Sequence, residues 1–438
     1  QLPAELDGYN IRRGFWETSD LMYRFSLQVM ARKIAHLKSN PLPPAEAALP
    51  DMQQLPAVTK MVERPRPFEV DLAALEGMVK ELSALFKDYK ELFNSNVMLV
   101  AVEQDNFRLT SENVRLKFPL GLVGLTVSAS VRTTDGSTVS DVLAISSLEN
   151  PADLPSLEEL KKKVTDFADN LMELKETPMI EEYYTGPVLF EEGAASRLFT
   201  DNLLSPGRLL ALRTMTPARG MLDEQLGRKI MDSRLTVKNY TTLVEYDGTP
   251  LFGHYEIDGD GVVPAAELTL VENGVFKRML NGRVPTLKAP ESTGSARFMI
   301  SPDNPVAIVS PGTIHVQTSK SVAPEKLKKA LLKAAKEADL EYAYIVRRIG
   351  GEASAVYKVN VKDGKETRVR VNNLSAPELT KLMDLKGISS DERVMNYFPN
   401  GVPASLIYPS AIIVGDVEIN RTTPKIEEVP VLKHPLQR

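Results

Sequence analysis

The 438-residue sequence contains no cysteine and only four histidines, His36, His254, His315 and His434, and these shortages remove much of the usual catalytic repertoire. Without cysteine there is no disulfide, no thiolate metal ligand and no thiol nucleophile. The histidines are scattered and none has a second histidine or an acidic partner at the helical offset of a ligand pair, so an ordinary structural role is the expectation. His254 stands apart, because Glu256, Asp258 and Asp260 would share its face if the segment stayed extended. No stretch approaches the roughly 18 consecutive apolar residues of a helical membrane span. Positive charge is not in excess: 53 Lys and Arg against 58 Asp and Glu leave a net charge of -5, which gives no electrostatic footprint for nucleic acid. The densest basic stretch, residues 326–336, alternates with Leu and Ala at helical spacing and reads as a solvated helix face. Glycines 248, 253, 259 and 261 do not form a dinucleotide fingerprint, no glycine-rich loop leads into a Lys-Ser/Thr pair, and no Gly-x-Ser-x-Gly elbow occurs. Asp258-Gly259-Asp260-Gly261 starts like a calcium loop, but Val262 and Thr269 stand where that loop needs oxygen ligands, which leaves a tight hairpin.

What remains is a globular composition, 43% hydrophobic and 25% charged, in a chain long enough for two or three domains. The first residue is Gln1 rather than Met, which leaves the compartment open between cytoplasmic and exported. Residues 20–38 carry Leu21, Phe25, Val29, Ile34 and Leu37 near helical spacing and predict an amphipathic helix. Seven prolines within residues 40–68 predict an extended connection across the surface. Asp71 caps a second helix with Leu72, Leu75, Val79, Leu82 and Phe86 on one face. Residues 97–145 shift to a period of two, with Asp135-Gly136 as a hairpin turn. Ser156 and Glu159 have capping-box spacing before another amphipathic run. Helix, antiparallel strands and helix describe an α+β domain that ends near residue 178. The second half is richer in strands. Asn273-Gly274 and Asp363-Gly364 predict hairpin turns, residues 324–340 a helix, and Ser375 with Glu378 a short capped helix.

One segment has the form of a metalloprotease motif whose ligands are changed. Gly186-Pro187-Val188-Leu189-Phe190 is a short apolar strand, followed by Glu191-Glu192-Gly193-Ala194-Ala195-Ser196 at the start of a helix. This resembles the TldD/PmbA family of peptide-maturation proteins, one branch of which opens that helix with His-Glu and places a second His four residues after the Glu. On that pattern Glu191 takes the first His position, Glu192 keeps the Glu, and Ser196 takes the second His position. A catalytic zinc needs about three protein ligands and an open position for water. Ser196 is a poor neutral ligand, and the cysteine that completes the family's catalytic site has no counterpart here. Read from residues alone, the segment is a strand-to-helix junction with two carboxylates at the positive end of a helix dipole.

The resemblance continues in order along the chain. Residues 268–277 are similar to the family's strand-turn-strand with its Glu-Asn-Gly turn. Ser292-Thr293-Gly294-Ser295-Ala296-Arg297 resembles its Gly-Asn-Ala-Arg segment, with Ser295 replacing Asn. Residues 402–414, followed by Glu418, are similar to its closing strand. The chain is most similar to the PmbA (TldE) branch, which lacks the zinc motif and pairs with a zinc-bearing relative.

These readings predict an α+β chain: an N-terminal helix and proline-rich connection over residues 1–68, an α+β domain over 69–178 with an antiparallel sheet and helices, and a larger β-rich TldD/PmbA-like domain over 179–438. The resemblance implies a degenerate, non-catalytic member that binds extended peptide, unfolded polypeptide or a partner subunit in peptide maturation or proteolysis. It implies no cofactor and no metal, and an assembly that is either a homo-oligomer or a heteromer with a zinc-bearing relative, with the interface in the C-terminal region. The alternatives are an active metallopeptidase built around Glu191 and Glu192, in which zinc would be needed, and a structural assembly subunit.

Overall fold

The computed structural model describes residues 7–64, 66–148, 150–214, 221–300, 306–350, 353–371 and 374–420. The chain divides into two compact units, one made of residues 1–51 and 214–217, the other of residues 52–213 and 218–438. In the smaller unit, helix α1 (Gly8–Ser39) starts well before residue 20. Its N-cap is Asp7, whose carboxylate accepts the N–H groups of Tyr9 and Asn10, each at 2.8 Å. No residue of α1 is buried, and Phe15, Trp16, Tyr23 and Phe25 are exposed. A single helical turn, α2 (Pro44–Ala47), follows.

The proline-rich connection is more regular than its composition predicts. Besides α2 it contains the strand Val58–Met61, in the proline-free interval after Pro56, which pairs in parallel with Val114–Lys117. A sheet neighbour more than fifty residues away gives no local signal. Helix α3 (Leu72–Ala84) begins where Asp71 accepts the N–H of Ala74 at 3.0 Å. The strand Val114–Arg132 is central to a four-stranded sheet, pairing with Val58–Met61, Leu92–Leu109 and Thr138–Ser147. Gly136, at φ 85°, makes the predicted hairpin turn. Helix α4 (Leu157–Glu176) opens on the predicted Ser156–Glu159 capping box. Its Leu160, Val164, Phe167, Leu171 and Leu174 pack with Leu82, Leu125, Val127 and Val131 in one apolar core. Truncating any one of these leucines to Ala would remove about 2–5 kcal/mol, read from the urea midpoint.

The C-terminal part is built on two six-stranded sheets. The first runs, in spatial order, Val275–Phe276, Glu267–Glu272, Leu235–Tyr240, Thr313–Thr318, Ala404–Pro409 and Glu392–Tyr397. The second runs Glu366–Val369, Ala355–Asn360, Tyr342–Arg348, Tyr184–Glu191, Ala411–Ile419 and Leu385–Ile388. A shared core between them contains Val237, Leu270, Ile314 and Leu406 from the first and Val188, Phe190, Tyr344 and Ile412 from the second. Helix α5 (Glu192–Leu203) places Leu198 and Phe199 in that core. Helix α6 (Pro324–Glu337) packs Leu327, Leu331 and Ala335 with Leu189, Ile345 and Ile413 in a separate cluster. The Asn273-Gly274 turn is present, with φ 48° and 78°. The fold is α+β, with a distinct N-terminal helix-and-sheet region and a larger β-rich C-terminal region.

Two local expectations are corrected. Ser375 and Glu378 do not open an α-helix. The Ala376-Pro377 step disfavours helical backbone before the proline, and only a 3-10 turn, Leu379–Met383, forms after Glu378. Residues 402–414 are not one closing strand. Ala404–Pro409 belongs to the first sheet and Ala411–Ile419 to the second, so the chain crosses between sheets at Ser410.

Arginines join the N-terminal sheet region to the second C-terminal sheet. Arg370, 2% exposed, donates to Thr177 O at 2.8 Å, to Ser137 Oγ at 2.9 Å and to the Asp135 carboxylate. Arg348 reaches Asp141 at 2.6 Å, and Arg368 reaches Asn170 at 2.6 Å and the Glu173 carboxylate. Burial opposes ionisation of Asp135, but Thr133, Ser137 and Arg370 overcome it and hold the carboxyl at about 2. A depressed carboxyl stabilises the fold above its ordinary value, and that stability is lost as pH falls toward 2. Arg370→Met is expected to lower stability by about 3 kcal/mol in urea unfolding and to reduce the acid-dependent loss between about pH 4 and 2. A loss under about 1 kcal/mol with an unchanged acid limb would show that this junction does not depend on Arg370.

Candidate functional site

The family-motif positions lie where the strand Tyr184–Glu191 meets α5. The strand holds Leu189 in the α6 cluster and Val188 and Phe190 in the shared core, the period-two alternation of a strand buried on both faces. Glu191, the N-cap of α5, makes no side-chain cap. Its carboxylate instead accepts Arg347 Nε at 3.1 Å, and Arg347 also donates to Glu366 Oε2 at 2.9 Å. Lys328 Nζ donates to the other Glu366 oxygen at 2.6 Å, and the Arg347 guanidinium lies 4.4 Å from the Tyr357 ring centroid. The result is a chain of alternating charges, Glu191, Arg347, Glu366 and Lys328. Burial opposes the charge on Arg347, but Glu191 and Glu366 raise its pKa above the ordinary arginine value.

The neighbouring residues face different surroundings. Glu192 is exposed and adopts φ 51°, the left-handed region, with its N–H donating to Ser410 O at 3.0 Å. Ser196 is 1% exposed, and its hydroxyl donates to Gly193 O at 2.8 Å. Tyr408 lies nearby, its pKa raised by burial and by Glu192. Behind Ser410, its hydroxyl donates to Asp391 Oδ1 at 2.7 Å and lies 2.9 Å from Ser389 Oγ. These contacts fix the crossover between the sheets, and among the described residues no imidazole joins them to act as a base on either serine.

A zinc ion implied by the family motif does not fit these groups. A ligand must offer a lone pair into open space, and a divalent cation is repelled by a guanidinium already bound to its carboxylate. Glu191 is committed to Arg347, and Ser196 directs its proton to a carbonyl. Among the described residues, no three His, Cys, Asp or Glu side chains gather as a metal-binding group.

The meeting of Arg347, Glu366, Tyr408 and Ser410 with the motif had no signal in sequence reading, because each is brought to the junction by a strand or crossover far along the chain. The histidines also sort differently from their sequence neighbours. His315 Nε2 lies 3.0 Å from Glu392 Oε1, and Tyr246 donates to the same carboxylate. His254 is exposed and Glu256 pairs with Lys60 at 2.5 Å, whereas Asp258 and Asp260 are buried in a turn, so the four do not share a face. Asp258 accepts the N–H groups of Asp260 at 2.9 Å, Val262 at 2.8 Å and Ala296 at 3.1 Å, and burial pushes its carboxyl up to about 6. His434 lies outside the described residues.

Comparison with known proteins agrees with this architecture. Residues 183–421 match the family model of the PmbA/TldA metallopeptidase C-terminal domain. The crystal structure of TldE from Thermococcus kodakarensis is 17% identical, with a TM-score of 0.52 over 87% of this chain and 81% of that chain. A proposed modulator of a DNA gyrase from Thermotoga maritima is 14% identical, with a TM-score of 0.53 over 85% of this chain and 81% of that chain. At these identities the two structures show a common fold. A metalloprotease of Methanothermobacter thermautotrophicus is 40% identical over 91 residues, a match that spans 20% of this chain and 18% of the relative.

The two motif glutamates should separate in mutagenesis. Glu191→Gln is expected to lose about 1–2 kcal/mol of stability, because it removes a charge-assisted bond that is only partly screened. Glu192→Gln should stay within about 0.5 kcal/mol, and Glu192→Gly should gain up to about 1 kcal/mol by relieving the left-handed backbone. Urea midpoints read all three, and equal losses at both positions would contradict this assignment.

Proposed function

We propose a non-catalytic function for this chain from the premise that it belongs to the TldD/PmbA family, whose PmbA/TldA metallopeptidase C-terminal domain it matches over residues 183–421. In this reading it is a degenerate member that binds extended peptide or a partner subunit in peptide maturation or proteolysis. The observation that carries the reading is the Arg347 guanidinium on Glu191, 3.1 Å from the carboxylate that stands at the first ligand position. A bound cation there does the electrostatic work of holding the carboxylate, and it cannot polarise a water or a carbonyl as a metal does. Extended peptide suits the architecture because a sheet edge recognises backbone through hydrogen bonds and tolerates varied side chains. The strand Leu92–Leu109 is such an edge, and its Phe93, Met98, Phe107 and Leu109 are exposed. The protein is expected to purify with substoichiometric zinc and to show no chelator-sensitive hydrolysis of an unstructured peptide. One tightly held zinc per chain, with hydrolysis lost in Glu192→Gln, would overturn this reading in favour of the active metallopeptidase alternative.

Assembly is the second part of the proposal. The uncovered apolar residues of α1 favour an oligomer or a heteromer with a zinc-bearing relative, since contiguous exposed apolar surface marks interaction sites. They move the expected interface toward the N-terminal region, whereas the resemblance had put it in residues 180–438. Trp16, the only tryptophan in the chain and 70% exposed, reports on that helix. Light scattering at tens of micromolar is expected to show a species larger than one chain, with blue-shifted Trp16 emission that reverts in Phe25→Glu. A stable interface would bury about 1,200 Å² or more. A strict monomer that captures no related chain would count against both forms of assembly.

A further inference from the structure

Four arginines are buried among the described residues, and three of them have a carboxylate partner. Arg283, 8% exposed, pairs with Glu112 at 2.7 Å, Arg368 with Glu173, and Arg370 with Asp135. Arg297 is also 8% exposed, yet the described residues give it no ion pair. Among those residues its one hydrogen bond runs from Nη1 to Pro311 O at 2.8 Å, and its guanidinium lies 4.3 Å from the Tyr255 ring centroid. A neutral carbonyl and an aromatic face are weak compensation for a desolvated charge. Burial pulls the guanidinium down to about 10, with Tyr255 and Tyr397 acting in the opposite direction. Asp258 lies on the neighbouring backbone, but it is bonded to three amide N–H groups.

The polar atoms around this arginine are also incompletely used. Tyr397 hydroxyl, Ser310 Oγ and Thr313 Oγ1 are buried without a hydrogen-bond partner. Ser310 and Thr313 flank the Pro311-Gly312 step whose carbonyl receives Arg297, and Tyr397 is among the groups that act on the Arg297 charge. Each of these hydroxyls can donate. A buried cation with unspent N–H groups, beside several unpaired hydroxyls, is complementary to an acceptor-only anion. With Nη1 engaged, the Nε and Nη2 edge remains, and its two parallel donors match the two oxygens of a carboxylate.

We propose that Arg297 anchors a carboxylate-binding site, with Tyr397 as a supporting donor, and that it holds the free C-terminus of an extended peptide. The peptide identity rests on the function proposed above, whereas the carboxylate chemistry does not. Two peptides of one sequence, ending in a free acid or an amide, would be titrated into the full-length protein by calorimetry. Sodium acetate would be compared with sodium chloride at fixed ionic strength in thermal unfolding. The free-acid peptide is expected to bind about tenfold or more tightly than the amide, and Arg297→Met should abolish that difference. Acetate should raise the unfolding temperature of the wild type and not that of the variant. Without ligand, Arg297→Met should be no less stable than the wild type, because it removes an uncompensated buried charge. Tyr397→Phe keeps the ring and should weaken the acid peptide several-fold without lowering stability, which provides a test independent of Arg297→Met folding. If acetate protects while neither peptide binds, the carboxylate site stands and the peptide reading fails. If both peptides bind alike and acetate has no effect, the Arg297 assignment is wrong and peptide binding survives. A loss of stability in Arg297→Met as large as that expected for Arg370→Met would also overturn it, marking Arg297 as structural.

Discussion

The burial of one strand on both of its faces constrains the rest of the C-terminal region. Tyr184–Glu191 lies between Tyr342–Arg348 and Ala411–Ile419, with Phe190 in the shared core and Leu189 against α6. A register slip of one residue would exchange those two sets of side chains and place each in the wrong cluster. The strand therefore has one register, and its end at Glu191 has one position. Everything at the junction inherits that position: Arg347 lies on the adjacent strand, and Ser410 lies at the crossover that receives the Glu192 N–H. The backbone of the site is thus set by apolar packing, independently of the chemistry its side chains perform.

This separation lets the junction keep its shape whichever side chains stand at the motif positions. The partly buried Glu191 carboxylate needs a compensating charge. Arg347 supplies it, in turn balanced by Glu366 and Lys328. A guanidinium has no lone pair and no vacant coordination position, so this network holds charge without offering a metal ligand.

Sequence revealed the parts of this structure that depend on neighbouring residues. The Asp71 cap, the Ser156–Glu159 box and the Asn273-Gly274 turn are governed by hydrogen bonds or backbone angles within a few positions. The resemblance in residues 186–199 also identified the strand-to-helix junction. Long-range pairings were not legible. Arg347 is 156 residues from Glu191, and nothing around either states that they meet. The parallel pairing of Val58–Met61 was hidden among prolines, and the apolar run through residues 402–414 concealed a change of sheet because both strands are buried. Ser375 misled for the opposite reason: its local capping pattern was sound, but Pro377 barred the helix it would have capped.

Glu192 retains a backbone that its side chain does not favour. The other described non-glycine residues at positive φ are Asn113, Asp247, Asn273, Asp339 and Asn400, all of the types that tolerate the left-handed region. Glu192, at φ 51°, is the exception. Its N–H is tied to Ser410 O, and the helix that follows is held by buried Ala194, Ala195, Leu198 and Phe199. Packing therefore over-determines the conformation and sustains a local strain on the order of 1 kcal/mol. The strain needs no present-day catalytic role to persist, since relaxing the backbone would require moving the start of α5 out of the shared core.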